Sequence, residues 1–139
     1  MTKITVAAFK ERLAMLCLKK GGRGLPRKTD DQHLLFKSIA LTLNARAAYS
    51  ETDINLALTT WLDSVGQLIE IDHVTLRRHL VDEGYLARDP AGTSYSVLPA
   101  AGADRFEPAI DALDPLVVIE EARRQQEEKK RAYLDKRED

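Results

Sequence analysis

The segment 71–97, IDHVTLRRHLVDEGYLARDPAGTSYSV, constrains the fold of this chain more than any other. Asp72, which can cap a helix, precedes an amphipathic stretch that runs to Gly84. Two short alternating stretches, 85–88 and 94–98, then flank the turn DPAG. The order of helix, glycine, strand, turn and strand is typical of the recognition helix and wing of a winged helix-turn-helix.

Apolar residues also recur at helical spacing in three other segments, roughly 5–20, 29–44 and 50–65, and Asp114-Pro115 begins a last predicted helix that runs to about residue 136. Thr29 or Asp30 can cap the second of these helices, and Ser50 the third. The predicted fold class is therefore mainly α: a winged helix-turn-helix of three helices plus a two-stranded β wing, with an extra helix at each terminus. The predicted organisation is an N-terminal helix (1–20), a basic glycine-rich linker (21–28), a winged-helix domain (29–99), a second linker (100–113) and a charged C-terminal helix (114–139).

Composition excludes several classes of protein. The apolar runs are too short for a membrane span, and Lys10, Glu11 and Arg12 interrupt any signal-peptide core, so we expect a cytoplasmic protein without a membrane partner. The single Cys17 excludes an internal disulfide and, on an apolar helix stripe, is expected to be a small core residue. The three histidines lack the spacing of metal ligands, so we expect no metal, no cofactor and no enzymatic activity.

Charge is distributed unevenly along the chain. Residues 1–49 contain ten Lys/Arg and three Asp/Glu, whereas residues 50–139 contain eleven and nineteen. Such asymmetry can indicate a basic arm for an acidic partner, or two halves that attract each other within the fold. Five cations lie in or beside the glycine-rich linker: Lys19, Lys20, Arg23, Arg27 and Lys28. They are typical either of an arm that follows a phosphate backbone or of a solvated, flexible connector.

The predicted recognition helix has two adjacent arginines in different environments. At helical spacing Arg77 lies inside the apolar arc, where it should cover the core edge and pair with a carboxylate. The side chains outside the arc are the candidate groove contacts: Thr75, Arg78 and His79. Arg78 can read a guanine or clamp a phosphate, or it can form an intrahelical pair with Asp82. Arg88 lies on the predicted wing, where a wing would touch the nucleic-acid backbone.

The C-terminal helix is highly charged and has few apolar residues. Its ladder of Glu120 with Arg124 and Glu127 with Arg131 favours a solvated helix with intrahelical ion pairs. The alternative is packing on a partner through the apolar residues at its start, Leu116, Val117 and Ile119. A long coiled coil is not expected, because no apolar heptad is sustained.

The stretches LPRKTDDQHLLFKSIALTL, YSETDINLALTTWLDSVG and DHVTLRRHLVDEGYLARDPAGTSYSV, within Leu25–Val97, resemble a bacterial domain family of unknown function. Members of that family occur alone or fused behind ArsR-like winged-helix regulators. The residues of the last stretch that carry the resemblance are Asp72, Leu76, Arg77, Arg78, Leu80, Val81, Gly84, Leu86 and Arg88. The resemblance implies a winged-helix-like fold, a role in transcriptional regulation and no enzyme activity.

Two hypotheses of function follow. The first is a small nucleic-acid-binding module, a DNA-binding transcriptional regulator that uses helix 72–83 and the wing, with DNA preferred over RNA. The second is a winged helix used for protein contact: docking on a nucleoprotein machine such as a polymerase or ribosome, or homodimerisation through the terminal helices. An RNA-binding accessory factor is a third possibility. The excess of acidic residues between 50 and 113, eleven against four basic ones, favours protein contact.

Overall fold

The computed structural model describes residues 2–18, 24–67 and 69–138. Within them the chain forms helices α1 (Val6–Leu18), α2 (Thr29–Thr42), α3 (Glu51–Ser64), α4 (His73–Asp82) and α5 (Pro115–Glu138). Three short strands, β1 (Ala48–Tyr49), β2 (Leu86–Arg88) and β3 (Tyr95–Val97), and a 3-10 helix, Pro108–Ala112, complete the fold. The predicted mainly helical class, with a helix near each end, is confirmed.

Helix α2 lies at the centre of the core. Eight consecutive residues, from His33 to Ala40, are buried, so the helix is covered on every side rather than along one stripe. Helices α1 and α5 pack against it and against each other. The sequence predicts only a single apolar face on α2, because His33, Lys37 and Ser38 interrupt the apolar pattern; these three are the buried polar residues of the core.

Capping residues set the starts of α3 and α4. The Ser50 hydroxyl accepts a hydrogen bond from the backbone N–H of Asp53, and the Asp72 carboxylate accepts one from that of Thr75. Both caps are as predicted, because each satisfies an N–H that has no partner in the first turn of a helix. The predicted cap of α2 is wrong: Lys28 holds the cap position and its side chain makes no capping bond.

The sheet has three antiparallel strands in the order β1-β3-β2, so the predicted two-stranded wing is incomplete. In the wing itself, Leu86 pairs with Val97 and Arg88 with Tyr95. The additional strand β1 is two residues long and places Tyr49 opposite Tyr95. A two-residue strand has no periodicity of its own, and it forms only because the turn after α2 brings it beside β3.

The segment 100–113, predicted to be a linker, is packed onto the body of the protein. It buries Phe106 and Ile110 and pairs Phe106 with Ile4 in an isolated parallel bridge. The Phe106 ring meets Phe9 of α1 edge to face, with 6.0 Å between the ring centroids. Within the described part of the chain, every helix is too short or too polar to cross a lipid bilayer.

Candidate nucleic-acid interface

Helix α4 is held so that one face stays open. Leu76 and Leu80 are buried against the core, and Asp72 fixes the first turn. At the other end Gly84, with a φ of 82°, closes the helix in the left-handed conformation that glycine adopts without steric cost. The opposite face, with Arg78 at its centre, is exposed to solvent.

A groove of about 350 Å³ lies between this face and the wing. The residues that line it are Val74, Arg77, Arg78, Val81, Asp82, Arg88 and Tyr95. Three guanidinium groups therefore share the groove with a single carboxylate. Such a concentration of arginine suits an anionic partner, because the two N–H groups of a guanidinium fork can bind two oxygens of a phosphate or a carboxylate.

Arg77 forms part of the wall of this groove. Its guanidinium donates to Asn55 Oδ1, lies 3.6 Å from a carboxylate oxygen of Glu51, and covers the Tyr95 ring at 5.3 Å from the centroid. Its side chain is only 16% exposed. The prediction that Arg77 covers the core edge and pairs with a carboxylate is confirmed, and the residue ties α4 to α3 and to the wing.

Arg78 and Arg88 differ from Arg77 because they are exposed and uncommitted. The side chain of neither forms a hydrogen bond or an ion pair in the described ranges, so the predicted alternative of an Arg78–Asp82 pair is not formed. The Arg88 guanidinium lies over the wing turn, where a Cβ added to Gly92 would clash with its Nη2. Because Gly92 has no side chain, the Arg88 guanidinium can occupy this space.

The wing turn is braced by Asp89. Its carboxylate accepts hydrogen bonds from the backbone N–H groups of Thr93 and Ser94 and from the Thr93 hydroxyl. The Thr93 side chain, followed by these backbone bonds, holds the pKa of Asp89 below its ordinary value. The anionic carboxylate is thus engaged within the turn, and the turn holds β2 and β3 together beside α4.

The other two predicted contacts on α4 are placed differently. The Thr75 hydroxyl donates to Asp72 Oδ2 at 2.8 Å, so it belongs to the helix cap. The His79 ring stacks on Phe36 of α2, with 6.0 Å between centroids and 17° between planes. The structure therefore brings Arg78 and Arg88 together and leaves Thr75 and His79 outside the residues that line the groove.

The basic segment is only partly described. Lys19, Lys20 and Arg23 lie outside the described residues. Arg27 and Lys28 immediately precede α2, and Lys28 lines a cleft with α1 rather than the groove. Gly24 lies beside the connector that leads into α4, since a Cβ on it would be 3.9 Å from the Glu70 carbonyl oxygen.

Tyr95 is a groove residue that the sequence did not single out. Its side chain is buried, and its ring supports the Arg77 guanidinium. The alternation of strand β3 offers the only available signal, because it predicts one inward face without identifying what that face meets. Among the described residues, no group of three His, Cys, Asp or Glu side chains is arranged to hold a metal ion.

The comparisons with known proteins agree with the sequence resemblance. Residues 23–97, just over half of the chain, match the family described as an uncharacterized protein conserved in bacteria (DUF2087). The chain belongs to the DUF2087 family. No curated protein and no solved structure matches it. The DUF2087 residues include α2, α3, α4 and the whole sheet, and therefore contain the groove, whereas α1, the 3-10 helix and α5 lie outside the match.

Proposed function

We propose that this DUF2087 protein is a nucleic-acid-binding module that contacts duplex DNA through α4 and the wing. The element order from α2 to β3, together with the sheet order β1-β3-β2, supports a winged helix-turn-helix interpretation of the fold. In helix-turn-helix proteins the second helix of the pair enters the major groove and the first crosses the backbone. Helix α4 corresponds to that second helix, and α3 to the first.

The observation that carries the proposal is the placement of Arg78 and Arg88. They line one groove from opposite sides, Arg78 on the helix and Arg88 on the wing, and both are exposed without an ion-pair partner among the described residues. Arg78 can therefore reach a guanine edge or a phosphate while Arg88 contacts the neighbouring backbone. Arg77 supports this arrangement by fixing the orientation of α4 against the wing.

The surrounding acidic residues limit the affinity that we expect. Residues 50–113 contain eleven carboxylates and four basic side chains, and phosphate contacts contribute a large share of duplex affinity. Several of these carboxylates are engaged locally: Asp72 in a cap, Asp89 in the wing turn and Glu51 with Arg77. We therefore expect binding with few phosphate contacts, weak in the absence of a preferred sequence and sensitive to salt.

A titration with labelled nucleic acids tests the proposal. The full chain and the variant R78A/R88A are titrated with random-sequence duplex, single-stranded DNA and structured RNA at two salt concentrations. We expect duplex binding that weakens by about tenfold or more in the variant, with a salt slope that falls by roughly one unit for each phosphate that the variant no longer touches. The control R46A removes an exposed arginine that does not line the groove and should bind as the unmodified chain does.

Failure of this test has a definite meaning. If the unmodified chain binds no duplex, or if R78A/R88A binds it with unchanged affinity and salt dependence, the α4 groove is not a DNA interface. Preferential binding of structured RNA would favour the accessory-factor hypothesis instead. Circular dichroism of both variants shows whether weaker binding arises from a loss of folding.

Protein contact is the second candidate, and one surface favours it. An apolar groove of about 450 Å³ separates α3 from the start of α5. Leu56, on its wall, is 65% exposed, and Leu116 is 46% exposed. Adjacent exposed leucines are more common at interaction sites than on an ordinary surface. The absence of binding to all three nucleic acids would leave this candidate as the preferred function.

A further inference from the structure

Helix α5 is buried at its start and exposed over most of its length. Its 24 residues span about 36 Å, and Pro115, Val118 and Ile119 are buried. The helix then runs beside α1, where Gln125, Gln126 and Lys129 line a cleft between the two helices. All side chains from Arg123 to Lys136 are exposed, so this part of the helix gains little stability from packing and a surface that covers it would add stability.

One stripe of α5 faces away from the body. Six residues, spaced alternately three and four apart, fall within an arc of about 100° on the helix. They are Val117, Glu120, Arg124, Glu127, Arg131 and Leu134. The buried residues of α5 lie on the opposite side. The stripe therefore has the spacing of a two-helix seam, with charged residues in its middle and an apolar residue at each end.

The charges along this stripe are complementary to those of a second α5 that runs in the opposite direction. A half-turn about the point between Gln125 and Gln126 places Glu120 opposite Arg131 and Arg124 opposite Glu127. The same rotation places Val117, 50% exposed, opposite Leu134, 47% exposed.

We propose that α5 is a dimerisation element that pairs with α5 of a second copy of this chain, antiparallel and centred on Gln125 and Gln126. A parallel pair in register would place each charge of the stripe opposite an identical one, which is unfavourable, whereas the antiparallel pair neutralises all of them. The symmetry is that of a closed two-fold dimer, in which the same patch of each subunit meets itself. This inference is independent of the proposed nucleic-acid binding.

The charges of the stripe are available for such a contact. Within the described residues the only ion pair on α5 joins Arg123 to Glu120, at 3.5 Å and in an exposed position. The intrahelical pairs predicted from sequence, Glu120 with Arg124 and Glu127 with Arg131, are not formed in this part of the chain. Ile119, predicted as a partner contact, is buried in the body, whereas Leu116 and Val117 remain exposed.

Charge reversal provides the first test. The variant E120R/E127R makes the middle of the stripe entirely basic, and R124E/R131E makes it entirely acidic. By light scattering, the unmodified chain should approach twice the 15.6 kDa of one copy as its concentration rises, and less readily at high salt. Each variant alone should remain at the mass of one copy, and an equimolar mixture of the two should regain the mass of two.

A matched control is D63R/D104R, which changes the net charge as much as E120R/E127R but at exposed positions outside α5. It should dimerise like the unmodified chain. An unmodified chain that stays monomeric at every concentration would overturn the proposal. So would dimers of either single-sign variant, or a mixture that stays monomeric while circular dichroism shows both variants folded.

Crosslinking tests the register. In V117C/L134C the two cysteines of one chain are about 25 Å apart along the helix, too far for a disulfide within one copy, but they meet across the antiparallel pair. Mild oxidation should therefore yield covalent dimers of V117C/L134C and none of V117C or L134C alone. Covalent dimers of the single variants would indicate a parallel pair and overturn the antiparallel register. Cys17 is buried, which raises the pKa of its thiol to about 12 and keeps it out of the reaction.

Discussion

At the scale of single residues, the core depends on a buried polar contact that joins distant parts of the chain. The Tyr85 hydroxyl hydrogen-bonds to Nδ1 of His33 at 2.8 Å, and Nε2 of the same ring lies 3.4 Å from the Glu83 carboxylate. Burial lowers the pKa of His33, and the nearby Arg105 guanidinium acts in the same direction. Glu83 and Asp30 oppose them without reversing the shift.

The lowered pKa of His33 predicts a loss of stability in mild acid. Below the ordinary histidine pKa, near 6.5, the unfolded chain takes up a proton that the folded chain does not. The free energy of unfolding therefore decreases as the pH is lowered, until the pH reaches the pKa of His33 in the folded chain. Urea unfolding between about pH 8 and about pH 5.5, where carboxylates stay ionised, should show this fall.

The variant H33Q should be less stable than the unmodified chain near neutral pH, because it disturbs the contact with Tyr85, and its unfolding should depend less on pH in this window. The control H73Q removes the histidine at the first position of α4 and should retain the slope. A pH dependence that is the same in all three proteins would assign the effect to other groups.

At the scale of elements, the ends of helices are set by local chemistry. Ser50 and Asp72 provide starts, and Gly84 provides the stop that turns the chain from α4 into the wing. Because Gly84 has a φ of 82°, the direction of the wing relative to α4 depends on a backbone conformation that side chains disfavour. Arg88 reaches the groove only if this turn is kept.

Substitution of Gly84 by alanine isolates that backbone effect. A Cβ at this position meets no atom within 4 Å, so the cost comes from the left-handed conformation and not from a clash. We expect G84A to lower the free energy of unfolding by about 1–2 kcal/mol, as measured by urea denaturation. G84N should be destabilised less, because asparagine tolerates this region better. Equal stability of G84A and the unmodified chain would contradict the assigned conformation.

At the scale of the whole molecule, α2 is the element around which the others assemble. The segment that leads to α5 is attached to it through Lys37, whose ammonium lies 2.7 Å from the Asp111 carboxylate and donates to the Ala101 carbonyl at 3.4 Å. Lys37 is buried while Asp111 remains largely exposed. The pair therefore joins the core to a region outside the matched family residues.

The two sides of this ion pair should respond differently to substitution. D111A leaves a buried ammonium without its main partner and should lower the free energy of unfolding by about 1–3 kcal/mol. K37M replaces the ammonium with an apolar group of similar length while its former partner stays solvated, so we expect a change of less than about 1 kcal/mol. If urea denaturation shows a smaller loss of unfolding free energy for D111A than for K37M, the ion pair does not stabilise the packing of this segment on α2.

The sequence determined those features that depend on neighbours in the chain. Helical periodicity located α1 to α4, and Asp114-Pro115 located the start of α5. Ser50, Asp72 and Gly84 set the ends of α3 and α4, and the position of Arg77 within the apolar arc of α4 indicated its role. These predictions succeeded because hydrogen bonds to the first turn, left-handed closure and side-chain spacing act over a few residues. Arg78 and Arg88 could be predicted to share one surface for the same reason, since a helix followed by a hairpin leaves little freedom between them.

Only the tertiary structure decided the features made by residues far apart in sequence. The pairing of β1 with β3, the contact of His33 with Tyr85, the stacking of His79 on Phe36 and the packing of segment 100–113 all join elements that no local pattern relates. Burial on every side of α2 was also decided by the tertiary structure. His33 and Lys37 are polar residues, and they become part of the core only because distant parts of the chain surround them. Local rules fix which elements form, and their mutual packing fixes which side chains remain free to bind.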